Sequence, residues 1–292
     1  MTERPADLTV PTLGVDTRAW VAGPPGGEPL ILVHGFRGDH HGLWGMAERI
    51  AHARPSARVI VPDLPGFGET PALPDRPHEL SAFAEWLRAF AAAAAPQGHQ
   101  ILGHSFGSLV VAQALASGLP ASRVVLVNPI AAPALRGPQA ALTRLALAYY
   151  RAADALPERA SRALLGNRVI VRAMSEVMAK TDDRQLRGWI HDQHDRYFSR
   201  FADTASLLQA FAASTSHTVT EVADRIAQPT LLIAGDRDDI TPLTAQLTLR
   251  NRLPDAQLVV IPGVGHLVHY EAVRESADAI ATFLDPARGA PA

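Results

Sequence analysis

Short, nearly continuous apolar runs alternate with longer stretches of helical periodicity along most of the chain. The runs are rich in leucine and β-branched residues and are bounded by Pro, Gly, Asp or Asn, as is typical of strands buried on both faces of a parallel sheet. They predict strands over Leu30–His34, Arg58–Val61, Gln100–Gly103, Arg123–Asn128, Thr230–Ala234 and Gln257–Ile261. Two weaker segments, Leu8–Val10 and Thr17–Val21, predict an opening hairpin.

Helical patterns fill the intervals between the first of these strands. They cover Leu43–Ala53, Leu80–Ala95 and Ser108–Ser117, and Gly118 follows the last of them as a helix-ending glycine. Alternating strands and helices favour right-handed crossovers. The pattern therefore predicts an α/β protein with a doubly wound, mostly parallel sheet.

The alternation stops between about Ala131 and His217, where the sequence is helical and is broken only by prolines and Gly166. The strand pattern returns at Thr230. The simplest interpretation is a helical cap inserted between two parts of one sheet. We predict a core made of residues 1–130 and 218–292, and a cap made of residues 131–217.

Composition narrows the class of protein. Lys and Arg number 27 against 29 Asp and Glu, so the net charge is 27 − 29 = −2, which argues against nucleic-acid binding and against attachment to an anionic membrane. The absence of cysteine excludes disulfides, thiolate metal sites and a cysteine nucleophile. The chain shows no secretory signal, and no run approaches about 20 apolar residues. We expect a cytoplasmic protein that acts on a small molecule without cofactor or metal; its oligomeric state is left open.

The strongest chemical signal is the motif Gly-His-Ser-Phe-Gly at residues 103–107, which follows one predicted strand and opens a helix. A sharp turn of this kind strains the serine backbone and requires small residues two positions away on either side. It raises the Ser105 hydroxyl above the sheet edge and aims the amides of the next helix, including that of Phe106, at developing negative charge. The alternative is a glycine-rich turn with an incidental serine.

A serine hydroxyl needs a base, and the base needs an acid that orients it. His266 lies on a glycine-containing loop after the last predicted strand, and we favour it over His269, which lies one turn into the next helix. Three acids follow the preceding strand. We favour Asp238 over Asp236, which could serve the turn, and over Asp239, which could cap a helix or face solvent.

Taken together, these stretches resemble an α/β-hydrolase fold enzyme with a cap. The matching parts are His34-Gly35-Phe36, the turn Asp63-Leu64-Pro65-Gly66-Phe67-Gly68, the serine motif, and an acid and a histidine in the order Ser, Asp, His. The resemblance implies that Ser105 is the nucleophile, His266 the general base and Asp238 its orienting acid. It also implies that the backbone amides of Phe36 and Phe106 form an oxyanion hole.

Four side chains are candidates for the substrate pocket: His104, Arg37, Trp189 and Tyr149. The cap carries many aromatic residues, and some of them are expected to give an apolar binding site. His191 and His194 are three residues apart with acids adjacent, which would suit a metal, but we interpret them as part of a polar helix face.

The leading hypothesis is a serine hydrolase that cleaves a small or medium carboxylic ester through an acyl-enzyme. One alternative is a carbon–carbon bond hydrolase acting on a ring-cleavage dienone, which would need cationic contacts such as Arg37 or Arg172. Another is a ligand-binding protein on the same scaffold. Serine at the turn argues against epoxide and halide chemistry, which would use an aspartate nucleophile.

Overall fold

The sheet is the central layer of the protein. The computed structural model describes residues 6–133 and 140–285, in which eight strands form one sheet with the order β1-β2-β4-β3-β5-β6-β7-β8. The strands are β1 (Ala6–Thr12), β2 (Val15–Ala22), β3 (Glu28–Val33), β4 (Ala57–Pro62), β5 (His99–His104), β6 (Ala121–Val127), β7 (Thr230–Gly235) and β8 (Ala256–Ile261). The β1–β2 and β2–β4 pairs are antiparallel, and the other pairs are parallel. The predicted doubly wound, mostly parallel sheet is confirmed.

Helices cover both faces of this sheet. They are α1 (His40–Ala53), α2 (Leu80–Ala94), α3 (Phe106–Ala116), α4 (Ala140–Asp154), α5 (Glu158–Leu165), α6 (Arg168–Met178), α7 (Arg184–Tyr197), α8 (Thr204–Ser216), α9 (Leu243–Arg252), α10 (Val268–Glu271) and α11 (Val273–Leu284). Buried side chains of α1 and α11 pack on one face, and those of α2, α3 and α9 pack on the other.

Strand β3 shows why continuous apolar runs fold this way. Leu30 and Leu32 belong to the core under α1 and α11, whereas Ile31 and Val33 belong to the core under α2 and α3, and all four are fully buried. Successive side chains of a strand point to opposite faces, so a strand covered on both sides needs apolar residues at every position. The carboxyl ends of the parallel strands then meet at one edge.

Helices α4–α8 lie between β6 and β7 along the chain, and we call residues 140–217 the insertion. Among its described residues, the only strand-like pairing is a single bridge between Phe201 and Phe67 of the core. Gly68 N donates to Arg200 O, and Ala202 N donates to Gly66 O, so the turn after β4 holds the segment between α7 and α8. Part of the predicted cap, residues 134–139, lies outside the described residues.

No helix in the described ranges combines the length and apolar character that crossing a membrane requires.

Candidate active site

Ser105 occupies a tight turn between β5 and α3. Its backbone has φ 52° and ψ −118°, in the left-handed region that side chains rarely adopt. A Cβ at Gly103 would lie 2.5 Å from Gly107 O, and one at Gly107 would lie 2.2 Å from Val33 O. Both glycines are therefore required by close backbone approach, and the turn presents the Ser105 side chain at the carboxyl edge of the sheet.

Three side chains from distant parts of the chain form a continuous hydrogen-bond chain at this edge. The Ser105 Oγ lies 2.8 Å from His266 Nε2, and His266 Nδ1 lies 2.8 Å from Asp238 Oδ2. His266 follows β8 and Asp238 follows β7, and both are nearly fully buried. The structure thus brings together the serine, histidine and acid that the sequence analysis favoured.

Asp238 lies in a dense hydrogen-bond network. Burial would raise the pKa of its carboxyl, but the nearby His266 charge and hydrogen bonds from His266 and Thr241 outweigh burial and lower that pKa. Asn128 Nδ2 also donates to Asp238 Oδ2 over 2.7 Å and to Gly265 O over 3.0 Å. The carboxylate is therefore held ionised and fixed in position.

The charge of Asp238 determines the tautomer of His266. An ionised carboxylate only accepts hydrogen bonds, so His266 Nδ1 carries the proton and donates it to Asp238. The lone pair of Nε2 then faces Ser105 and accepts its hydroxyl proton. This arrangement can draw a proton from the serine and return it later.

The rival acids have other partners. Asp236 Oδ1 accepts from Gly263 N over 2.7 Å, which links the loops after β7 and β8. Asp239 Oδ2 accepts from Lys180 Nζ of the insertion over 2.6 Å. Neither has a recorded contact with His266.

Two backbone amides lie beside Ser105. The Phe106 amide is at the N-terminus of α3, where the helix leaves amides unpaired. A Cβ at Gly35 would lie 3.1 Å from Ser105 Cβ, so the loop carrying Phe36 packs directly on the serine. Within the described residues, neither the Phe36 nor the Phe106 amide donates to a protein acceptor. Both are available to an anionic oxygen.

An aromatic cluster covers the Phe36 loop. The Tyr150 and Phe211 rings of the insertion stack with centroids 3.7 Å apart, and Phe36 lies 5.8 Å from the first and 5.7 Å from the second. These rings give the site an apolar side. Tyr150 and Phe211 are not among the four pocket candidates predicted from the sequence.

The four candidate pocket residues have different surroundings. Arg37 is buried, and its guanidinium donates to Phe198 O, Leu165 O, the Tyr150 hydroxyl and Ser199 Oγ, all in the insertion. The Tyr149 hydroxyl donates to Leu164 O, and burial raises its pKa. Trp189 is 45% exposed and meets the Tyr270 ring edge-on. None of these three has a recorded contact with Ser105.

His104 lies next to His266, the histidine whose Nε2 faces Ser105. Its Nε2 is 3.3 Å from His266 O, and its ring centroid is 4.1 Å from that of His269. Burial, followed by the nearby His266 charge, lowers the pKa of His104 to about 3, so it is neutral at neutral pH. His269 is also buried, and burial lowers its pKa strongly.

The polar helix face predicted for His191 and His194 lies at an interface inside the protein. Both side chains are buried, and both approach the buried Ser175 hydroxyl of α6, at 2.6 Å and 2.7 Å from their Nδ1 atoms. The two residues share the face of α7 that packs on α6. Their Nδ1 atoms are thus partnered by Ser175 across that interface. Among the described residues, the buried His191 Nε2 makes no hydrogen bond, and Glu176 Oε1 of α6 lies 3.1 Å from it.

One group among the described residues has ligand atoms close enough to hold a metal ion: Asp39, His40 and His41. Asp39 Oδ1 already caps α1 through His41 N, and His40 Nδ1 bonds Asp63. Hydrogen bonds within the protein therefore occupy Asp39 Oδ1 and His40 Nδ1, whereas the buried Asp39 Oδ2 has no hydrogen-bond partner among the described residues. Glu271, Lys180 and Asn128, which hold the loops of Asp238 and His266, were not selected from the sequence.

Comparison with known proteins identifies the family of the fold. Residues 28–273 match the family described as alpha/beta hydrolase fold. The chain is 29% identical to a pimeloyl-[acyl-carrier protein] methyl ester esterase of Chromobacterium violaceum, over 89% of this chain and 95% of that protein. It is 26% identical to an N-formylmaleamate deformylase of Pseudomonas putida, over 89% of each. A thermophilic esterase from Thermogutta terrifontis shares the fold, with a TM-score of 0.73, 24% identity and coverage of 96% and 98%.

Proposed function

The chain belongs to the alpha/beta hydrolase fold family, and from this membership and the geometry of the site we propose that it is a serine hydrolase acting on a small or medium carboxylic ester. The observation that carries the proposal is the hydrogen-bond chain from Ser105 through His266 to Asp238. A ligand-binding protein would not need a serine hydroxyl paired with an oriented imidazole.

In the proposed first step, Ser105 Oγ attacks the ester carbonyl carbon while His266 Nε2 takes the hydroxyl proton. The carbonyl oxygen becomes an oxyanion that accepts hydrogen bonds from the Phe36 and Phe106 amides. The carbon–oxygen bond to the alcohol then breaks, and His266 returns the proton to the leaving oxygen. Ser105 is left as an acyl ester.

In the second step, a water molecule attacks the acyl carbon and gives its proton to His266. The same two amides stabilise the second oxyanion, and the bond to Ser105 Oγ breaks as the serine recovers its proton. Asp238 keeps the His266 proton on Nδ1 and stabilises the imidazolium in both steps. The products are an alcohol and a carboxylic acid.

The insertion is proposed to act as a cap over Ser105. Its Tyr150 and Phe211 rings pack over the Phe36 loop, which suits an apolar acyl or alcohol group. This supports an ester of modest size rather than a highly charged substrate.

The arginines weigh against carbon–carbon bond hydrolysis. A dienolate with a carboxylate would need a free cation, but Arg37 donates to four acceptors within the protein, and Arg172 is paired with Glu176 and Asp195. The similarity to a deformylase makes an N-formyl amide the other substrate class to test. A panel of p-nitrophenyl esters, alkyl esters, an N-formyl amide and a dienone separates these classes.

The deciding experiment removes the proposed nucleophile. Ser105→Ala is expected to lower kcat on p-nitrophenyl esters by about 10⁶-fold, as in other serine hydrolases, and to abolish covalent labelling by a fluorophosphonate probe. Ser117→Ala, at the exposed end of α3, is the matched control and should label like the parent. Hydrolysis by Ser105→Ala at the parent rate would contradict the proposal.

A further inference from the structure

Glu271, the last residue of α10, links two segments that are distant in sequence. Its Oε1 accepts from Lys180 N over 2.5 Å and from Thr181 N over 3.0 Å, both in the linker between α6 and α7. Its Oε2 accepts from Gly265 N over 3.2 Å. One carboxylate thus joins the insertion to the residue immediately before His266.

Packing around the same linker is tight. A Cβ at Gly265 would lie 2.5 Å from Lys180 Cγ and 3.3 Å from Met178 O, so the linker rests directly on the loop that carries His266. Ala179 is buried in a small apolar cluster with Leu267 and Tyr270. The linker and α10 therefore form one packed unit beside the proposed base.

Lys180 adds a second connection from the linker. Its ammonium donates to Asp239 Oδ2 over 2.6 Å, next to Asp238. The Asp238 and His266 loops are themselves joined, because Arg237 N donates to Val264 O over 3.0 Å. The linker consequently contacts both loops that hold the proposed acid and base.

The partners of Glu271 indicate what the carboxylate does. In the described part of the chain, no cation pairs with it, and its side chain bonds only to amides of these two segments. Three backbone N–H donors directed at one carboxylate fix the relative positions of the groups that carry them.

We propose that Glu271 is a positioning residue for His266: its carboxylate fixes the His266 loop against the insertion, so that the imidazole keeps its place between Ser105 and Asp238. This inference rests on the proposed function. The proposal predicts that weakening the hydrogen bonds to the Glu271 carboxylate impairs proton transfer by His266, while Ser105 and the Phe36 and Phe106 amides remain in place.

The test is Glu271→Gln, assayed with two substrates that share one acyl group. The amide retains the side-chain shape but turns an NH₂ group toward at least one of the three N–H donors, so the loop loses its anchor. A p-nitrophenolate leaves without a proton, whereas an alkoxide needs one from His266. We expect kcat/KM to fall about tenfold on the p-nitrophenyl ester and about a hundredfold on the ethyl ester, the size of effect that a misplacement of about 1 Å produces.

The ratio of the two rates does not depend on how much of the variant is folded. Glu271→Asp, which keeps the charge but shortens the side chain, is expected to change the ratio in the same direction. Glu275→Gln, an exposed glutamate one turn into α11, is the matched control and should keep the parent ratio. Equal losses on both substrates, or no loss, would overturn the role of Glu271. Parent-level activity in Ser105→Ala would instead overturn the proposed function.

Discussion

Asp238 shows how one buried charge can be kept ionised. Its carboxylate is removed from solvent, which alone would raise its pKa, yet hydrogen bonds from His266, Thr241 and Asn128 converge on it, and its pKa is lowered. The proton on His266 Nδ1 depends on that charge. The proposed chemistry at Ser105 therefore depends on a residue that does not touch the serine.

Asp238→Asn tests this dependence. The asparagine is nearly the same size but is neutral, and its NH₂ group can donate to His266 Nδ1, which stabilises the tautomer whose Nε2 carries the proton. That tautomer cannot accept a proton from Ser105, so kcat on p-nitrophenyl esters is expected to fall about 10⁴-fold. Asp255→Asn, an exposed acid before β8, is the control. A loss of less than tenfold would assign the orienting role to another group.

Residues defined by local geometry were predictable, and residues defined by remote contacts were not. Ser105 follows from its glycines and its strand–helix junction, which a single stretch of sequence contains. Glu271 bonds Lys180, 91 residues away, and Asn128 bonds Asp238, 110 residues away, and nothing in the sequence around either residue indicates these contacts. The only available signals were that Glu271 lies five residues after His266 and that Asn128 directly follows β6.

At the scale of elements, the α6–α7 pair has a polar interior. His191 and His194 lie on the same face of α7 and share the Ser175 hydroxyl of α6, and the Tyr270 ring lies 5.7 Å from that of His194. Burial, then the nearby His191 charge, lowers the pKa of His194 to about 4. The stability of the insertion therefore depends in part on keeping this buried imidazole neutral.

Acid should therefore destabilise the protein through His194. In the unfolded chain its pKa returns to about 6.5, so between pH 6.5 and 4 the unfolded state binds the extra proton and the free energy of unfolding falls as the pH falls. By pH 5 this one residue accounts for about 2 kcal/mol of the loss relative to pH 7. In His194→Gln, which stays neutral, the fall from pH 7 to pH 5 should be smaller by about that amount.

Urea unfolding at the two pH values measures the effect. His52→Gln, an exposed imidazole at the end of α1, is the control, because its ring is solvated in both states. If His194→Gln and the parent lost the same stability between pH 7 and 5, burial of a neutral His194 would not be the cause.

Strands were easier to predict than the helices of the insertion. Each predicted strand lies within two residues of the observed one at either end. For the central strands β3 to β7 the reason is that burial on both faces leaves an unbroken apolar run such as Leu30–Val33. The helices of the insertion bury polar as well as apolar residues. In α7 the buried positions include His191 and His194, so the polarity of these residues did not indicate the interface that they form.

Over the whole molecule, two charged side chains of the core attach the insertion near the residues of the proposed site. Arg37, next to Phe36, bonds the ends of α5 and α7. Glu271, whose carboxylate also accepts from Gly265 N next to His266, bonds the α6–α7 linker. Both attachments use a charged core side chain and backbone groups of the insertion. The position of the insertion and the geometry of both loops are thus coupled.

Arg37→Met tests the attachment at the Phe36 loop. The methionine keeps apolar contact with the Phe198 ring, which lies 4.9 Å from the guanidinium carbon, but it donates no hydrogen bond to Phe198 O or Leu165 O. Losing charged hydrogen bonds costs about 1.5–3 kcal/mol, so local opening of the insertion should become roughly ten- to hundredfold more populated. When the insertion opens and closes faster than trypsin cleaves it, the rate of cleavage is proportional to the population of the open form. Tryptic cleavage within the insertion should therefore accelerate by that factor.

The control is Arg49→Met on α1, where the arginine pairs with Asp278 of α11 away from the insertion. It also removes one arginine, so any change common to both variants reflects the substitution itself. Because the Phe36 amide belongs to the same loop as Arg37, hydrolysis of p-nitrophenyl esters should slow in Arg37→Met and not in Arg49→Met. Cleavage of the insertion at equal rates in the two variants would mean that Arg37 does not hold it closed. If the insertion of Arg37→Met is cleaved faster but ester hydrolysis is unchanged, closure of the insertion does not control the geometry of the Phe36 loop.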